Sequence, residues 1–317
     1  MGRAAAPRDD ESLAIRAAWL HYAGGLTQTE VAARLGVSAV KAHRLVAWAN
    51  QNGAVKVSVE GSVTDCLRLE QRLVERFGLA TAEVIPDLGE EGLPLRALGH
   101  GGAAFLGRII GGAEPRVIGV GNGRTLAAAI AAMPRQDAGA TRFVSLVGVL
   151  TRRYAANPHD VMHRLAEKTG AEAYVMPVPF FANTAEDRAV LLSQPGVREV
   201  VDLAASADLL FVGIGTAQPD AQLVTARMIA PEEIREVQER GGVGEMLGHF
   251  FDAAGHPVET SLAARTLSPD LGSLAGRRVV ALAGGAVKTS AIRAVLHTGL
   301  LSGLITDERT ARALVAA

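Results

Sequence analysis

The stretch Thr27–Asn50, TQTEVAARLGVSAVKAHRLVAWAN, leaves its chain little conformational choice. Thr27 and Glu30 have capping-box spacing, so each can satisfy an orphan amide of a helix start. Val31, Ala32 and Leu35 give that helix one apolar face. Gly36 lets the chain leave it in a left-handed conformation. Ser38 can cap a second helix, on which Val40, Leu45 and Val46 are expected to face inward. Lys41, Ala42, His43 and Arg44 fill its first two turns. Small and basic residues there suit a helix entering a major groove. The spacing predicts a helix-turn-helix.

The charge pattern supports a nucleic-acid surface. From Thr27 to Val59 the only acid is Glu30, against Arg34, Lys41, Arg44 and Lys56. After Gly53, Val55, Val57 and Val59 alternate with Lys56 and Ser58, which reads as a strand with a basic side chain outward, a wing along the phosphates. Thr27, Gln28, Ser38, Ala39, Lys41, Ala42, His43, Arg44 and Lys56 are therefore the candidate contacts to double-stranded DNA. An ordinary helical hairpin with a solvated basic face is the alternative. Ser12–Tyr22 is expected to supply the first helix of this unit, ending at Gly24-Gly25, and the unit to close at Gly61.

The whole chain has 317 residues and a net charge of −1, so any affinity for nucleic acid must come from a local patch. Its residues are 49% hydrophobic and only 4% aromatic, as in helices packed over a parallel sheet. The one cysteine, Cys66, excludes an internal disulfide and any multi-cysteine metal site. No apolar run is long enough to span a membrane, and the N-terminus lacks the apolar core of a signal peptide. The expectation is a cytoplasmic protein with no cofactor and no metal.

Residues 62–317 are expected to form a second, α/β domain, opened by a linker helix over 64–78. That helix carries Leu67, Leu69, Leu73, Val74 and Phe77 as a stripe, which either pairs with a second subunit or packs on its own sheet. From Ala80 on, short apolar runs alternate with helices: strands near 82–85, 116–120, 143–147, 171–176, 209–213, 279–282 and 304–306, and helices near 93–110, 125–132, 159–169, 289–297 and 308–315. This is the pattern of parallel βαβ units. Residues 219–255 read as mostly helical, a cap over the sheet.

Ligands of such sheets bind at the carboxyl ends of the strands, and three ends are glycine-rich. The first, Gly121-Asn122-Gly123-Arg124-Thr125, opens a helix whose free amides and Arg124 suit an anion. It is neither a Walker loop nor a dinucleotide fingerprint; a plain tight turn is the alternative. The second ends in Gly215-Thr216. The third places Lys288 at a helix start, where the alternative is a surface lysine. Enzyme motifs such as G-x-S-x-G and H-E-x-x-H are absent. His159 and His163 stand four apart on one expected helix, so metal ligation is conceivable, but no glutamate stands in the right place between them, and ordinary surface histidines are the preferred reading. Glu245, Asp252 and Asp307 could act as bases or as contacts to sugar hydroxyls.

With these motifs the chain resembles SorC/DeoR-type transcriptional regulators with a sugar-binding C-terminal domain. The resemblance covers essentially everything after Glu11. It rests on the loop 119–126, the block Gly241–Asp252 (GGVGEMLGHFFD), the segment Ala283–Ile292 (AGGAVKTSAI) and Leu304–Glu308. It implies a Rossmann-like effector domain without turnover, similar in fold to ribose-5-phosphate isomerase and glucosamine-6-phosphate deaminase. It also implies homodimers or homotetramers on operator DNA, with a sugar, polyol or sugar phosphate as effector. The effector's phosphate or polar end would sit on Gly121–Thr125 near Lys288, with Glu245 and Asp252 near its hydroxyls. Many members have an aromatic residue where this chain has Asn122, and Ser-Arg-Pro where it has Ser38-Ala39-Val40. The run Lys41–Leu45 resembles regulators of polyol catabolism such as erythritol regulators. A sugar-phosphate isomerase or deaminase carrying a DNA-binding domain is the competing class.

Overall fold

A computed structural model describes residues 7–55, 63–112, 116–148 and 161–316. The chain divides into two compact units, residues 1–61 with 134–136, and residues 62–133 with 137–317. The described residues of the first unit form three helices: α1 (Pro7–Tyr22), α2 (Gln28–Leu35) and α3 (Ala39–Gln51). The first begins earlier than the Ser12 cap suggests, because proline is compatible with a first helical turn. Its core is built from small residues, with Ala14, Ala17 and Ala18 against Val31, Ala32, Leu45 and Val46. Lys56 and the strand expected around it lie outside the described residues.

The second unit opens with α4 (Val63–Phe77) and is organised by a seven-stranded parallel sheet. Its strands in chain order are β1 (Thr81–Ile85), β2 (Val117–Val120), β3 (Arg142–Ser145), β4 (Ala173–Tyr174) and β5 (Leu209–Gly213); after three short strands come β9 (Val279–Leu282) and β10 (Gly303–Asp307). The three are β6 (Gly215–Thr216), β7 (Gly244–Met246) and β8 (His249–Phe251), a small antiparallel sheet of their own. Both faces of the large sheet are covered, as the alternation within its strands shows. Ile118, Val120, Phe211, Val280 and Leu282 enter one core, with α5 (Leu95–Ile110) and α6 (Arg124–Ala132). Leu210, Val212, Val279 and Ala281 enter the other. Packed there are α4, through Leu69 and Leu73, and the last helix, Glu308–Ala316, through Leu314. Thus α4 covers its own sheet, with its Cys66 buried on the sheet-facing side, while Leu67 stays exposed.

The strand order is β1-β10-β9-β5-β2-β3-β4. From β2 the chain steps outward to β3 and β4, then returns to β5 on the other side of β2 and continues toward the opposite edge. The paired strands β2 and β5 therefore mark the topological switch point, where the loops at their carboxyl ends diverge and leave a crevice. Two parts of this unit differ from the sequence reading. Helices Ala185–Ser193 and Pro195–Ala205 fill a stretch where none was expected; the first buries no residue, so it has no apolar stripe to read. Residues 219–255 contain the helix Pro231–Glu239 and the one-turn helix Gln222–Thr225, but also the hairpin β7–β8. Its two-residue turn is Leu247-Gly248, both at positive φ (54° and 80°). Asn-Gly is the usual signal for such a turn, and leucine conceals it. No described helix is long and apolar enough to cross a membrane.

Candidate functional site

In the first unit, α2 and α3 present one polar face. Thr27 accepts the amide of Glu30 while the Glu30 carboxylate accepts the Thr27 amide at 2.8 Å, and Gly36 ends α2 at φ 65°. The Thr27 hydroxyl and amide hold the Glu30 carboxyl below its ordinary range. Ser38 caps α3 by accepting from the Lys41 amide at 3.2 Å. Ala39, Lys41, His43 and Arg44 are exposed together. The His43 Nδ1 lies 2.9 Å from Gln28 Oε1, which ties the exposed faces of the two helices. Two expectations need correction. Ala42 is fully buried, since it belongs with Leu45, Val46 and Ala49 to the inward stripe, and cannot touch DNA. Val40, expected inside, is 72% exposed on the opposite side of α3.

In the second unit, a cavity of about 500 Å³ opens at the switch point. The turn after β2 and the start of α6 supply Gly121–Thr125, and β6, directly after β5, supplies Gly215 and Thr216. Glu245 comes from β7, and Lys288 from the loop after β9. Four segments far apart in sequence thus converge because their strands are neighbours. Gly123 sits at φ 138°, a conformation open to glycine, and turns the chain directly into α6. The first amides of that helix have no partners within it and border the cavity. The Thr125 hydroxyl is already spent, donating to Leu282 O at 3.0 Å. Arg124 is exposed and donates from Nε to Gln222 Oε1 at 3.2 Å. The Asn122 Oδ1 is buried with no hydrogen-bond partner.

Glu245, buried, and Lys288, half-buried, supply charge to the cavity wall. Glu245 pairs with Gly215 across the small sheet and accepts the Gly248 amide at 2.7 Å. Any side chain at Gly215 would fall on its carboxylate. Burial, outweighing the Gly248 amide and the Lys288 charge, raises the Glu245 carboxyl to about 6. Lys288 donates from Nζ to Ile214 O at 2.6 Å. Burial, aided by Arg124 and opposed by Glu245, lowers its ammonium to about 8. With Arg124 and Asp220 at the rim, two positive groups balance two negative ones. The site can therefore accept hydroxyl groups on paired donors and acceptors, and an anionic group at the α6 end.

Asp252 does not border the cavity. Its carboxylate accepts the amides of Ala254 and His256 at 2.9 and 2.8 Å, and the His256 amide is the main cause of its lowered pKa. It braces a turn instead of meeting a ligand. Asp307 likewise accepts from Gly285 and from the Thr310 amide and hydroxyl, anchoring the third glycine loop to the last helix. His159 is outside the described residues; among those described, no cluster of three or more His, Cys, Asp or Glu could hold a metal. Sequence reasoning missed much of the wall: Leu93, Phe180, Gln218, Gln222 and Leu247. Gln222 opens the one-turn helix Gln222–Thr225 and the others stand on loops and turns, where no periodicity marks them.

A helix-turn-helix unit joined to a doubly wound α/β unit, with its crevice at the switch point, describes a ligand-responsive DNA-binding protein. Residues 61–316 match the family model described as "Putative sugar-binding domain". The chain belongs to the SorC/DeoR-type sugar-binding transcriptional regulators, and it is a regulator rather than an enzyme. It is 60% identical over 306 residues to the erythritol catabolism regulatory protein EryD of Brucella abortus (strain 2308), covering 96% of this chain and 97% of that one. It is 33% identical to the transcriptional regulator LsrR of Enterobacter sp. (strain 638), covering 97% and 94%. The full-length sorbitol operon regulator SorC of Klebsiella pneumoniae shares its fold with a TM-score of 0.70 at 26% identity, covering 97% and 99%.

Proposed function

We propose that the protein regulates genes of polyol catabolism by binding double-stranded operator DNA through α2 and α3, under control of a polyol or polyol phosphate in the switch-point cavity. The similarity to the erythritol catabolism regulator, 60% over nearly the whole chain, carries this reading. The cavity supports it. Glu245 offers a buried acceptor and the half-buried Lys288 a donor for hydroxyls, and the α6 amides offer an anion seat. The protein works in the cytoplasm as a homodimer or homotetramer, since one helix-turn-helix reads only one half-site. Thermal-shift titration with erythritol, its phosphate esters and pentose phosphates tests the effector. A ligand at ~100 times its dissociation constant stabilises by about 2.7 kcal/mol. Anisotropy with duplexes selected from a random pool then measures whether that ligand changes DNA affinity. A protein that selects no duplex, or whose DNA affinity no polyol or phosphate alters, would defeat the proposal.

A further inference from the structure

The recognition helix carries one side chain that its own fold does not require. Val40 is the second residue of α3 and is 72% exposed. The inward stripe of the helix is Ala42, Leu45, Val46 and Ala49, so Val40 contributes nothing to the core. A β-branched residue also lowers helix propensity slightly. Valine is thus favoured there neither by packing nor by local conformation. Its exposed neighbours are Ala39, Lys41, His43 and Arg44, with no acid in the first turn. These neighbours are polar, basic or small, fit for phosphates and base edges, and Val40 is the large apolar side chain set among them.

In a helix-turn-helix the N-terminal residues of the second helix meet base edges in the major groove. Only thymine presents an apolar group there, its C5 methyl. We propose that Val40 is a specificity-determining residue that packs on a thymine methyl of the operator. Ala39, one residue earlier, has too small a side chain to hold the helix away from the bases. His43, one turn later and tethered to Gln28, fixes the polar side of the same reading face. The inference rests on the DNA-binding reading of α2 and α3, and adds to it the base being read and the atom that reads it.

The test uses the full-length protein, with and without erythritol. Duplexes are selected from a random pool, and each thymine of the best one is replaced singly by deoxyuridine, which removes only the methyl. Affinities are measured for the parent and for Val40→Ala. Loss of one buried methyl corresponds to about a fourfold weakening. The parent should show that loss at one thymine per half-site, and Val40→Ala should bind the thymine and deoxyuridine duplexes equally. Since Val40 is exposed, the variant should keep the parent's melting temperature. If no deoxyuridine weakens the parent, or if Val40→Ala keeps the loss at the same position, Val40 does not read thymine. If the parent selects no duplex under either condition, the DNA-binding reading itself fails, and this inference with it.

Discussion

Glu245 and Lys288 hold their charges at the cost of burial, and pH should expose which of them a ligand uses. Between about 6 and about 8 both are charged. Below about 6 Glu245 takes up a proton and stops being a full acceptor, so affinity for a neutral polyol should fall there. Above about 8 Lys288 loses its charge, so affinity for a phosphate ester should fall there. Calorimetric titrations with the two ligand types across pH 5–9 check both arms; identical profiles would show that neither group meets the ligand. The ligand-free protein should respond in its own way. The folded value of Glu245 lies above its ordinary 4.5, so its charge destabilises fully above about 6 and not at all below 4.5. Its contribution to stability therefore rises as pH falls through that window. For Lys288 the cost is present below about 8 and gone above 10.5. Lys288→Ala should weaken a phosphate ester by about 1.5–3 kcal/mol but a neutral polyol by about 0.5–1.5 kcal/mol, the ranges for charged and neutral hydrogen bonds. Parent and variant titrated with erythritol and erythritol phosphate separate the two. Lysine at this place was legible in the sequence, because it follows two glycines at a strand end. Its bond to Ile214 O was not, since that partner comes from a loop 74 residues away.

At the scale of elements, the ends of helices and strands decide more than their middles. The capping box of α2 was readable from Thr27 and Glu30 alone, because it needs only local spacing. Thr27→Ala should therefore cost about 1 kcal/mol, measured by denaturant unfolding of residues 1–61 or of the whole chain; an unchanged midpoint would remove the cap from the account. The parallel strands were readable too, since buried strands are short apolar runs. What the sequence hid were elements defined by tertiary neighbours. The helix Ala185–Ser193 has no buried stripe, the hairpin β7–β8 turns on a leucine, and Val40 looked apolar enough to be inside. Distance along the chain also hid the contact between Gly215 and Glu245. Gly215→Ala should displace the Glu245 carboxylate and abolish the effector response while leaving effector-free DNA binding intact. Gly123→Val meets open space but a forbidden backbone, so it should cost about 1–3 kcal/mol of strain and misplace the α6 amides. Retention of full effector affinity by both variants, in thermal-shift titration, would take these two loops out of the site.

For the molecule as a whole, the cavity is built entirely from the second unit, so residues 62–317 alone should bind the effector with the affinity of the full chain and should not bind operator DNA. Isothermal titration of the separate unit checks this; a large loss of affinity would mean that residues 1–61 complete the site. The same unit has one further property in how its two ends meet. Arg72 and Arg76 of α4 donate to the Val315 carbonyl, at 2.9 and 3.2 Å, and Arg312 reaches Asp65 at 3.3 Å. The segment that begins the unit is thus stitched to the segment that finishes it. A body whose ends lie side by side can be cut out, joined head to tail or spliced into a foreign loop with little loss of closure. The sensor is in that sense portable: evolution, or a designer of biosensors, could couple it to another reader by changing only what is attached at one seam.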